Sequence, residues 1–152
     1  MRARTGLVWL AATAWVALAA SAQPTDLAAA RNAWRRAALT DYEYGYRKYC
    51  ACHPDSPPET IVTVRGGAIV GVRHRPVDAM NEVPAKAGSL QYYWTIDELF
   101  ELIDSARRRG AAVRASYDSE RGFPTEIHID YDANAIGDEI DVVLTTVTPL
   151  AR

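Results

Sequence analysis

The apolar residues of this chain switch period along its length, and that switch limits what it can fold into. Leu27, Ala30, Trp34, Ala37 and Ala38 recur every three or four residues, with Arg31, Arg35 and Arg36 on other faces. Such spacing lays one apolar stripe along a helix. Thr25 or Asp26 can cap its start, so a helix is predicted over about residues 26–40. From Asp41 the period falls to two. Tyr42, Tyr44 and Tyr46 share a face with Cys50 and Cys52, while Glu43 and Arg47 point the other way. This reads as a strand with an aromatic face. The prolines of His53-Pro54-Asp55-Ser56-Pro57-Pro58 end it, because they remove backbone donors and fix the chain.

Two β-branched runs follow, Thr60 to Arg65 and Ala68 to His74, joined by Gly66-Gly67, a dipeptide suited to the positive φ angles of a two-residue hairpin turn. Residues 76–94 lack a clear period and hold Pro76, Pro84 and Gly88, so they read as a long loop in which Leu90 to Trp94 could extend a neighbouring strand. Then the helical period returns. Thr95 and Glu98 form a capping box, Ile96, Leu99, Phe100, Ile103 and Ala106 make one apolar stripe, and Gly110 can end the helix. Asp97 and Glu98 open it and Arg107 to Arg109 close it, both favourable to the helix dipole. Asp97, Glu98, Glu101 and Asp104 spread around this helix as a solvated face would. Three strands are predicted after it, at about 112–118, 125–132 and 139–147. Ile127, Ile129 and Tyr131 face one way and Glu126, His128, Asp130 and Asp132 the other, while Ile140, Val142 and Leu144 lie on the core side. Helix then three strands, twice over, predicts an α+β domain of order αβββ-αβββ: an antiparallel sheet of about six strands with two helices on one face.

At the N-terminus Arg2 and Arg4 precede an uncharged stretch from Thr5 to Ala20, and Ala20-Ser21-Ala22 fits the small-x-small pattern of a cleavage site. Residues 1–22 therefore read as a signal peptide and 23–152 as a single exported domain, periplasmic or secreted. The apolar run is short for a bilayer-spanning helix of roughly 20 residues, and no second apolar span follows. Cleavage removes two arginines and no acid, leaving 15 basic against 19 acidic residues. No clustered basic surface invites nucleic acid.

The candidate chemistry is sparse. Cys50-Ala51-Cys52-His53 is one residue short of the C-x-x-C-H haem motif and of the C-x-x-C redox motif. Three readings stay open for it: a strained disulfide between Cys50 and Cys52, two buried or surface thiols, or part of a soft-metal site with His53. Asp130-x-Asp132-x-Asn134, followed by Asp138, Glu139 and Asp141, resembles the opening of a calcium loop, so Asp130, Asp132, Asn134 and Asp138 form a weak cation-loop candidate. Position six is Ala135 in place of Gly, and position twelve is Asp141 in place of Glu. Turn chemistry by Asp and Asn explains the same residues. Tyr117-Asp118-Ser119-Glu120-Arg121-Gly122-Phe123-Pro124 reads as a structural connection, with Gly122 at positive φ and Pro124 opening the next strand. His74 and His128 sit on strands without a paired nucleophile. No phosphate loop, G-x-S-x-G elbow or H-E-x-x-H helix is present, so no catalytic residues are assigned and no cofactor is expected.

Trp34, the tyrosine-rich strand, Cys50-Ala51-Cys52, the Gly66-Gly67 hairpin, Thr95-Ile96 through Leu99-Phe100, Tyr117-Asp118, Gly122-Phe123-Pro124, Asp130 and Asp138-Glu139 fall in an order that resembles the exported bacterial domain-of-unknown-function family 6174. The resemblance implies an exported domain and supplies no activity. The functional expectation is a small module of the cell envelope that acts by binding a protein or peptide. The alternative is a metal-binding or thiol-redox protein built on Cys50, Cys52 and His53.

Overall fold

The computed structural model describes residues 26–49, 59–75, 83–85 and 88–151. The expected leader and the Cys50, Cys52 and His53 group lie outside these residues. The first helix, α1 (Leu27–Ala37), starts where Asp26 accepts from the Ala28 amide at 3.1 Å. It ends short of residue 40 because Ala38 turns into the left-handed region at φ 50°. Strands β1 (Tyr42–Tyr49), β2 (Glu59–Arg65) and β3 (Ala68–Arg75) follow. The hairpin between β2 and β3 turns on Gly66 and Gly67, at φ 57° and 78°, as a primed two-residue turn requires.

The 76–94 region holds more structure than its sequence advertises. Val83–Pro84 forms a two-residue strand, β4, against Arg73 and His74, and Leu90–Tyr92 winds into a 3-10 turn in place of the strand extension its sequence allows. The short β4 is why the sheet has seven strands among the described residues and not about six. Helix α2 (Ile96–Arg108) carries the reciprocal capping box, with the Glu98 amide on Thr95 Oγ1 at 3.2 Å and the Thr95 amide on Glu98 Oε2 at 2.7 Å. Gly110, at φ 82°, follows its last turn. Strands β5 (Ala112–Tyr117), β6 (Pro124–Asp130) and β7 (Ile140–Pro149) complete the chain.

All strand pairs are antiparallel, in the order β4-β3-β2-β1-β7-β6-β5. The first and last strands meet at the centre, so the two halves of the chain share one sheet. One core serves both helices: Leu27, Ala30 and Trp34 of α1 and Ile96, Leu99, Phe100, Ile103 and Ala106 of α2 are buried against Tyr42, Tyr44, Tyr46, Val62, Ile127, Ile129, Val142 and Leu144. Each large aliphatic or aromatic side chain buried this way contributes about 1.5–3 kcal/mol. Aromatic rings form a run through that core. Trp34 meets Tyr42 edge-on at 5.3 Å, Tyr42 and Tyr44 lie 6.1 Å apart, Tyr44 and Tyr46 6.2 Å, and Tyr46 meets Tyr93 at 5.5 Å. Two of the hydroxyls tie the 94–96 segment down: Tyr44 donates to the Trp94 carbonyl, and Tyr42 accepts from the Ile96 amide at 3.2 Å. Among the described residues no helix is long and apolar enough to cross a membrane.

Candidate functional site

Strand alternation places every second side chain away from the helices. On β1 these are Glu43, Gly45 and Arg47; their cross-strand partners include Ile61 and Thr63 on β2 and Val143 and Thr148 on β7. No described helix packs on this face. Its β1–β3 half is organised by two arginine–glutamate pairs. Arg73 grips Glu43 with both terminal nitrogens, at 2.9 and 3.2 Å, while Thr63 donates to the same carboxylate at 2.7 Å. Arg75 pairs with Glu59 at 2.8 Å, and Thr145 adds a bond to Glu59 at 3.0 Å. The Arg73 hydrogen bond is the main cause that holds the Glu43 carboxyl below its ordinary value, against the opposing effect of burial.

Gly45 makes this arrangement possible. The β1–β7 register slips between Tyr44 and Tyr46, and the resulting bulge lays Thr145 over Gly45. A Cβ there would stand 2.0 Å from Thr145 Oγ1 and 3.0 Å from Glu59 Oε1. The absent side chain is thus what lets Thr145 reach Glu59. A depression of about 310 Å³ lies beside this group, lined by residues that include Glu43, Gly45, Arg73, Arg75, Thr146 and Thr148.

The β5–β6–β7 half carries the stronger candidate. Arg114, His128 and Asp141 stand directly opposite one another across three adjacent strands. His128 Nδ1 lies 2.6 Å from Asp141 Oδ1. A carboxylate has no proton to give, so the imidazole donates through Nδ1 and its other nitrogen is left for a visitor. Beside this row runs a second, Ser116 opposite Glu126 opposite Val143 opposite Arg47. A cleft of about 280 Å³ is lined by Arg114, Ala115, Ser116, Glu126, His128 and Asp141. Arg114, Ser116 and Glu126 are exposed, and neither Arg114 nor Glu126 is in an ion pair among the described residues. Histidine held by aspartate is the orienting half of a nucleophile-activating set. Ser116, however, stands opposite Glu126 and makes no hydrogen bond to His128. The cleft offers a guanidinium, an oriented imidazole, a hydroxyl and a free carboxylate, which suits polar recognition by hydrogen bonds and charge.

The residues singled out in the sequence fare unequally. Asp130 closes β6 and Asp138 precedes β7, while Asp132 Oδ1 spends itself on the Asn134 amide at 3.0 Å and the Asn134 side-chain nitrogen at 3.2 Å. These bonds are turn chemistry at Asp132 and Asn134, while one carboxylate oxygen of Asp130 and one of Asp138 are buried without a hydrogen-bond partner among the described residues. No group of three or more His, Cys, Asp and Glu that could hold a metal occurs among the described residues. His74 points to the core side, with Nδ1 3.1 Å from Thr60 Oγ1 and its ring 6.5 Å from Tyr93. The acids of α2 are engaged and not merely solvated: Trp34 Nε1 donates to Asp97 at 3.4 Å, Arg31 pairs with Glu101 at 3.2 Å, and Arg108 pairs with Asp104. The pairing of His128 with Asp141 escaped the sequence reading. Alternation put His128 on the polar side, but the loop between β6 and β7 leaves the register of those strands open.

The chain matches no curated protein and no solved structure. A family model does match, described as "Family of unknown function (DUF6174)", over residues 26–149. That span runs from the cap of α1 to the last residue of β7, and it bears out the resemblance read from the order of the motifs. The chain belongs to the DUF6174 family.

Proposed function

We propose that this protein is an exported binding module of the cell envelope whose recognition surface is the helix-free face of its sheet. The observation that carries the reading is the asymmetry of the sheet. Both helices bury one face, and the other presents oriented, partly unpaired polar groups in the Arg114–His128–Asp141 cleft. A surface kept only for solubility has no need of an imidazole held by a carboxylate beside an unpaired guanidinium. Export is supported by the arginine-led apolar stretch and the Ala20-Ser21-Ala22 site.

Site-specific photocrosslinking in an exporting cell tests the reading. A photoreactive side chain at Glu126 or Thr146 should give discrete crosslinked species. The same group at Arg36 or Asp97, on the helix side, should not. Crosslinks confined to the helix side would refute it.

A further inference from the structure

We propose that β5 is an acceptor edge for an extended segment of a partner protein, added antiparallel as a further strand, that reads basic–apolar–acidic from N- to C-terminus with its two charged side chains on the open face. The proposal rests on the helix-free face being the recognition surface and names the kind of partner that face takes.

Strand β5 closes one end of the sheet and, among the described residues, is paired on one side only, to β6. Its register with β6 runs evenly from Ala112 to Ser116 and shifts only between Ser116 and Tyr117, at the strand's end, and it contains no proline. Proteins usually blunt such edges with prolines, bulges, charged side chains or very short strands, and of these β5 carries a single charge, Arg114, and a shift at its last residue. The other end of this sheet is blunted: β4 is two residues long and includes Pro84. At β5 the backbone donors and acceptors that point outward have no backbone partner among the described residues. Strand addition to such an edge takes affinity from the main chain and specificity from alternate side chains.

Those side chains define the specificity here. On the open face a residue added opposite Arg114 meets an exposed guanidinium that has no ion pair among the described residues. That position selects a carboxylate. A residue added opposite Ser116 looks across a small hydroxyl to Glu126, itself exposed and unpaired, which stands opposite Ser116 on β6. That position selects a long basic side chain. The residue between them falls on the other face, beside half-buried Val113 and Ala115, and should be apolar. In an antiparallel addition the residue opposite Ser116 precedes the one opposite Arg114, which fixes the order as basic, apolar, acidic. Opposite charges placed across a sheet stabilise the pair, and like charges repel.

The test uses the folded chain without its leader and two blocked peptides of one composition, Val-Lys-Val-Glu-Val and Val-Glu-Val-Lys-Val. The first should shift and protect the outward-facing amides of residues 112–117 in nuclear magnetic resonance spectra, and should bind about tenfold tighter than the second. N-methylation of the peptide edge facing β5 should abolish binding, and methylation of the other edge should leave it. The double variant Arg114→Glu/Glu126→Lys, at two exposed positions, should reverse the order preference. Equal binding of both peptides, no perturbation of β5 amides, or an unchanged preference in the double variant overturns the proposal. So does concentration-dependent protection of β5 without peptide, which would make a second copy the occupant. Open-face photocrosslinks at Thr146 alongside silent β5 amides would leave the wider reading standing and reject this one.

Discussion

At the scale of single residues, two backbone positions decide more than their size suggests. Gly122, at φ 77°, is buried against α1, and a Cβ there would lie 2.3 Å from the Ala30 carbonyl oxygen and 2.8 Å from Ala33 Cβ. The obstacle is helix backbone, which cannot rotate aside. Gly122→Ala should therefore cost at least about 2 kcal/mol, from left-handed strain and from displacement of α1, read as a lower urea midpoint. Ala38 presents the opposite case. It ends α1 at φ 50° while carrying a side chain that disfavours this region, so Ala38→Gly should stabilise the chain by about 0.5–1 kcal/mol despite a looser unfolded state. Gly122 was legible from its place between two strands beside Pro124. Ala38 was not, because its apolar side chain fits the helical period and nothing local announces the turn.

Elements that rest on local chemistry could be read directly, and those that rest on distant partners could not. The capping box of α2 and the diglycine hairpin join residues at most three apart in the chain, where side-chain and turn preferences act without tertiary help. Thr95→Ala should remove the Oγ1 acceptor from the Glu98 amide and destabilise the fold by about 1 kcal/mol. Glu98→Gln, which keeps an acceptor for the Thr95 amide, should cost less, and thermal melts of the two variants make the comparison. By contrast β4 is two residues defined only by the edge of β3, and the central β1–β7 ladder joins strands about a hundred residues apart. The same limit hid the candidate site. Alternation shows which face Arg114, His128 and Asp141 occupy, but only the register of three strands shows that they form one row.

Across the whole molecule, a tyrosine-lined core and a charge-paired open face predict opposite sensitivities to pH. Glu43 is held below its ordinary value of 4.5 by Arg73, so its contribution is full above that value and is lost as pH falls through the lowered one. Burial pushes the Tyr42 phenol up to about 12 and raises those of Tyr44 and Tyr46 as well. An unfolded tyrosine ionises near 10, so the tyrosine contribution is full below about 10 and fades as pH rises toward 12. Urea midpoints across the pH range should fall at both ends. Glu43→Gln should flatten the acid limb alone, and tyrosinate absorbance should rise together with unfolding on the alkaline limb.

The proposed recognition surface is the helix-free face of the sheet. This assignment is tested most directly by carboxyl labelling with a carbodiimide and an amine, performed on the protein in intact envelopes and on the purified chain, and read by peptide mass spectrometry. Glu126 and Asp141 stand on the helix-free face, and Asp97 and Glu101 on the helices. Glu126 and Asp141 should lose labelling in the envelope while Asp97 and Glu101 label equally in both samples. Protection of Asp97 and Glu101 with Glu126 and Asp141 unchanged would place the partner on the helices and contradict the assignment.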